Sequence, residues 1–169
     1  MGQLNILNVF FENPSKEFHI RGIAKKLNIP KTTVANKVNS FLRSGLLVKN
    51  EEGVFPTYKA NVSGEEYSFQ KKVSFLTKLN SSKLVDYLDE EFSPRVIILF
   101  GSFAKAEYDS ESDIDIFVQA PESDYDLSSY ENELGHKINL FFEPSLNNLS
   151  KELLNNILNG YKLRGFIRL

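Results

Sequence analysis

The stretch VIILFGSFAKAEYDSESDIDIFVQA, residues 96–120, decides the fold. A strand-forming apolar run from Val96 to Phe100 breaks at Gly101-Ser102, crosses a polar loop and re-enters an apolar run that holds Asp113 and Asp115 one residue apart. A short continuous apolar run ending in Gly-Ser predicts a buried strand leading into a tight turn. Glycine there lets backbone approach a ligand closely, and the serine beside it offers a hydroxyl and an amide to a phosphate oxygen. Side chains alternate along a strand, so Asp113 and Asp115 are expected on one side and Ile114, Ile116 and Val118 on the other. Two carboxylates side by side repel and raise each other's pKa unless a divalent cation lies between them. Magnesium takes hard oxygen ligands, commonly one or two carboxylates plus nucleotide phosphates, and this spacing suits such a site.

The rest of the composition narrows the choice. The 169 residues suffice for one domain or two small ones with a real core. Cysteine is absent, which excludes disulfides and thiolate metal sites, and two histidines, His19 and His136, exclude a multi-histidine centre. Any metal must be held by oxygen. No long uncharged apolar stretch can span a bilayer, and the N-terminus lacks a basic flank and a small-residue cleavage site. A cytoplasmic location without membrane contact is expected. Charge is uneven: residues 1–62 carry nine Lys and Arg against four Asp and Glu, whereas residues 63–169 carry eleven against eighteen. A basic module suited to phosphate backbones and an acidic one suited to cations follow from that split.

Along the basic half, Leu4 to Phe11, Ile20 to Leu27 and Val34 to Leu42 have apolar residues at helical spacing, with breaks at ENPS, at Ile29-Pro30 and at Gly45. Two β-prone runs around Glu51-Glu52-Gly53 then read as a hairpin. Residues 1–62, on the motif HIRGIAKKLNIPKTTVANKVNSFLRSGLLVKNEEGVFPTYKAN, resemble the winged helix-turn-helix domain of small prokaryotic transcriptional regulators. The resemblance implies a major-groove helix presenting Lys31, Thr32, Thr33, Asn36, Lys37 and Ser40, with Arg43 near its end. Lysine and arginine would bind phosphate, while threonine, asparagine and serine could read base edges. Lys49 and Lys59 flank the wing, but Glu51 and Glu52 at its tip repel phosphate. A helical connector is expected over residues 63–80, with a second domain from 81 to 169.

The constellation of Gly101-Ser102, ten residues, then Asp113-x-Asp115 resembles the signature of the nucleotidyltransferase superfamily related to DNA polymerase β, in particular its minimal branch. Over roughly residues 81–169 the resemblance implies a mixed sheet with packed helices, closed by a helix in LSKELLNNILNGYKLRG. The expected fold class is therefore α+β, a winged helix-turn-helix followed by this mixed sheet. The resemblance also implies that Gly101 and Ser102 contact the triphosphate of an NTP such as ATP, and that Asp113 and Asp115 hold Mg²⁺ or Mn²⁺. Lys105 is a further candidate for phosphate charge. The family's third carboxylate belongs on a later strand, here HKINLFFEPSL, where the matching residue is Asn139. Its carbonyl can meet a metal but cannot usefully accept a proton. Glu143, four residues on, is about 13 Å further along an extended strand.

Two readings with chemistry stay open, beside a third, a protein-interaction scaffold that uses neither. One is transfer of an NMP, such as AMP, to a hydroxyl of a protein, an RNA or a small molecule; relatives that act as antitoxins modify a partner toxin. The other is a DNA-binding transcription regulator whose weakened second domain senses a nucleotide. Dimers are usual for such regulators, although no coiled-coil seam marks one in this chain.

Overall fold

The computed structural model describes residues 2–167. The chain divides into two compact units, Met1–Lys71 and Lys72–Leu169. Among the described residues no helix is long and apolar enough to cross a membrane.

The first unit has three helices and a two-stranded sheet. Helix α1 (Gly2–Phe11) buries Ile6, Leu7, Val9, Phe10 and Phe11, and ends where the Asn13 side chain donates to the Val9 carbonyl at 3.1 Å. Helix α2 (Ile20–Leu27) buries Ile23 and Ala24, and α3 (Lys31–Arg43) buries Val34, Val38 and Phe41. Pro30 precedes α3, where its missing N–H costs no helical hydrogen bond, and Gly45 turns the chain after it at φ +73°. Strands β1 (Leu47–Asn50) and β2 (Thr57–Ala60) pair antiparallel, with Leu47 opposite Ala60, and Phe18 adds an isolated bridge to Tyr58. The connection between them runs from Glu51 to Pro56, longer than a tight turn at Glu52-Gly53, and it leaves Val54 and Phe55 exposed. Helix α4 (Glu65–Ser81) carries the division between the units. In its first turns Tyr67 is buried, donating its hydroxyl to the Phe10 carbonyl at 3.1 Å.

The second unit is a four-stranded mixed sheet with helices. After α5 (Leu84–Phe92) come β3 (Val96–Phe100), the short α6 (Gly101–Lys105), β4 (Ile114–Val118), α7 (Ser128–Leu134), β5 (Ile138–Phe142), a 3-10 turn at Leu146–Asn148, α8 (Lys151–Leu158) and β6 (Tyr161–Gly165). Spatial order is β5-β4-β3-β6, with β4 and β5 parallel and the other pairs antiparallel. Every residue of β3 is buried, as its unbroken apolar run requires. One face carries Val96, Ile98, Phe100 and Phe117, and packs against Leu146, Leu149, Leu153, Leu154 and Ile157.

The tail departs from the expected single closing helix. Helix α8 stops at Leu158 and the chain returns as β6 along β3. Gly160 permits this, because a β-carbon there would stand 2.4 Å from the Leu99 carbonyl oxygen and 2.7 Å from Ile98 Cγ2. Helix α7 also goes beyond the sequence expectation. It lies in a stretch too short and too polar for apolar periodicity to reveal it.

Candidate functional site

The break after β3 has a geometric cause. Phe100 is extended, and Gly101 takes φ +70°, a left-handed turn that side chains disfavour, to start α6. A β-carbon at Gly101 would stand 2.4 Å from Asp115 Oδ2, so the glycine lets the turn and the carboxylate approach one another. Ser102 is half-buried, and its carbonyl accepts from the Glu107 amide at 2.9 Å. Lys105 is exposed in the last turn of α6.

The loop into β4 is held by its own polar groups. Asp109 Oδ1 accepts from the Glu111 amide at 3.0 Å and from Ser112 Oγ at 3.1 Å. His136 Nδ1 lies 2.8 Å from the Ser112 carbonyl, while its ring meets Phe103 edge-on at 4.9 Å. The Ile114 amide donates to the Lys137 carbonyl at 2.8 Å. These contacts position Asp113, exposed and just ahead of β4, and Asp115, half-buried within it. Ile114, Ile116 and Val118 are fully buried on the opposite side.

Asp115 is paired in register with Phe100 on β3 and with Asn139 on β5. Asn139 Nδ2 donates to Asp115 Oδ1 at 3.2 Å and lies 3.4 Å from Asp113 Oδ2. One amide therefore faces both carboxylates. Burial pushes the Asp115 carboxyl above the ordinary value; the Asn139 hydrogen bond opposes the rise, and the charge of Asp113 adds to it. Repulsion between the carboxylates, the cause expected from spacing, is thus secondary to burial. Glu143 is occupied elsewhere: its Oε1 accepts from the Ser145 amide at 3.0 Å and from Asn148 Nδ2 at 2.9 Å.

A hard divalent cation fits this donor set. Two carboxylates converge on a single hydrogen-bond donor, and the amide opposite them can turn its oxygen to the same point. Gly101, Asp113, Asp115 and Asn139 are brought together, with Ser102 next along the turn. Among the described residues no group of three or more His, Asp or Glu side chains is close enough to hold a metal. His136 and Tyr108, which steady the loop with Phe103, are supporting residues that spacing does not reveal, since their contacts arise only on folding.

In the first unit, Lys31, Thr32, Thr33, Asn36, Ser40 and Arg43 are exposed on α3, and Lys37 is half-buried. A cleft of about 600 Å³ opens beside the start of α3, lined by Phe18, Ile20, Arg21, Lys31, Phe55 and Tyr58 among others. The Arg21 guanidinium lies 5.7 Å from the Phe55 ring centroid. Lys49 is paired with Glu51, so part of the positive charge beside the β1–β2 connection is neutralised in place.

Comparison with known proteins places residues 82–163 in a match to the polymerase beta nucleotidyltransferase family. A protein of Methanocaldococcus jannaschii, provisionally named a protein adenylyltransferase, is 38% identical over 69 residues, covering 36% of this chain and 69% of the relative. No solved structure matches the chain significantly.

Proposed function

The chain belongs to the polymerase beta nucleotidyltransferase family, and from that premise we propose that its second unit transfers AMP from ATP to a hydroxyl of a partner protein. The family uses a nucleoside triphosphate and a divalent metal. The observation that carries the reading is the convergence of Asp113 and Asp115 beside the Gly101 turn, with Asn139 in register across from Asp115. The choice of AMP and of a protein acceptor rests on the name of the archaeal relative. A partner of the toxin class fits that acceptor.

Each residue has a stated role. Asp113 and Asp115 would hold Mg²⁺ or Mn²⁺, which supplies neutralisation of phosphate charge when bound. Gly101 leaves room for the triphosphate, and Ser102 offers it a hydroxyl and an amide. The acceptor oxygen bonds to the α-phosphorus as the bond to the β-phosphate bridging oxygen breaks, and pyrophosphate leaves. The acceptor proton passes to water, because Asn139 cannot accept it. Catalysis rests on positioning and charge.

Asn139 favours a second reading, in which the unit binds nucleotide without transferring it and regulates the first. The first unit we read as a winged helix that binds DNA through α3, supported by its exposed polar face and its basic balance. Incubation of the chain and a heat-inactivated cell extract, which supplies acceptor protein, with α-labelled ATP and Mg²⁺ or Mn²⁺, beside Asp113→Ala, separates the two readings. Label on protein that is lost in the variant supports transfer; metal-dependent binding without transfer supports sensing. Salt-dependent DNA binding that weakens in Lys37→Ala supports groove docking, and no binding at low salt would sink it.

A further inference from the structure

The two oxygens of Asp115 have different surroundings. Oδ1 accepts from Asn139 Nδ2, and Oδ2 faces the Gly101 turn, 2.4 Å from where a β-carbon would stand. A carboxylate that bridges two cations commonly offers one oxygen to each, and two cations that share a site stand only about 3.5–4 Å apart. Here the oxygen on the Asn139 side meets a neutral amide, whose nitrogen also reaches Asp113 Oδ2. We infer that this site is built for a single divalent cation held between Asp113 and Asp115, and that Asn139 sets that number.

The protein's own donors agree with that count: Asp113 and Asp115 balance one divalent cation, and a second would gain from the protein only a neutral oxygen of Asn139, with the triphosphate as its remaining ligand. Glu143 cannot make up the difference, since its carboxylate is spent on Ser145 and Asn148. Asn139 is exposed on β5, so the amide can turn its oxygen toward the one cation without disturbing the core. The same exposure, and the equal size of the two side chains, leave the core untouched in Asn139→Asp, whose fold is checked by circular dichroism with Mn²⁺ present before its signal is read.

This inference rests on the reading that the second unit binds metal with nucleotide, and one experiment tests the two separately. The full chain is loaded with Mn²⁺ and a triphosphate whose α–β bridge is a methylene group, and the Mn²⁺ signal is followed by electron paramagnetic resonance. The wild type is expected to give an uncoupled signal that differs from that of Mn²⁺ and the analogue alone. Asn139→Asp is expected to give the broadened, coupled signal of two neighbouring ions. A coupled pair in the wild type overturns the inference and leaves the binding reading standing. An uncoupled signal in both proteins removes Asn139 as the cause and overturns it too. A signal that the protein does not change at all overturns both.

Discussion

Gly101 has no room for a side chain and a backbone angle that side chains avoid, and both facts point at Asp115. Gly101→Ala is therefore expected to lose roughly 1–2 kcal/mol of stability from the left-handed angle alone. It also displaces the carboxylate, weakening Mn²⁺-nucleotide binding by about tenfold or more, or ~1.4 kcal/mol, which calorimetric titration would check. Unchanged affinity would show that the close approach is incidental. Asp115 gives a pH signature. Its carboxyl is raised in the folded state, chiefly by burial, so the folded chain holds that proton more tightly than the unfolded chain. The resulting stabilisation is complete below the unfolded value and is lost as pH rises through the raised folded one. Metal-free Asp115→Asn, which copies the neutral form, should melt above the wild type at pH 7. The gap should narrow as pH falls toward the ordinary carboxylate value of 3.8. Thermal unfolding in a chelator measures it, and a gap independent of pH contradicts the assignment.

At the scale of elements, much of the fold is legible in local pattern. The helices of the first unit declare themselves by apolar spacing and by Pro30 and Gly45, and β3 by its unbroken run. The pair Asp113 and Asp115 was visible because strand alternation converts a one-residue gap into a shared face. Asn139 was legible for the same reason, as a polar residue set into the apolar strand β5. What stayed hidden depends on contacts distant in sequence. Strand β6 reads as the end of a helix until Gly160 is seen pressed against Leu99, and His136 is an ordinary histidine until it meets the Ser112 carbonyl. The Gly160 contact predicts that Gly160→Ala costs about 1–3 kcal/mol by overpacking against β3. Denaturant unfolding would report it, and amide exchange should rise first along β6. A neutral substitution would mean that the turn can move aside.

For the whole molecule, a basic three-helix unit is followed by an acidic sheet unit to which we assign a metal-nucleotide site. The uneven charge suits the two proposed tasks: Lys31 and Arg43 are exposed on α3, while Asp113 and Asp115 converge ahead of and within β4. If cation and triphosphate bind the folded chain alone, as the proposed function requires, together at a hundred times their dissociation constant they should add about 2.7 kcal/mol to the second unit's stability. The central claim is that this unit breaks the α–β bond of a triphosphate and passes on the nucleotide. The most direct measurement gives the full chain, together with a heat-inactivated cell extract as the source of acceptor protein, ATP labelled at the α-phosphate and, in parallel, at the γ-phosphate, with Mn²⁺, and asks which label becomes protein-bound. The account predicts α-label on protein, γ-label released only as pyrophosphate, and neither bound in Asp115→Asn. Protein-bound γ-label, or α-label that persists in Asp115→Asn, would contradict it.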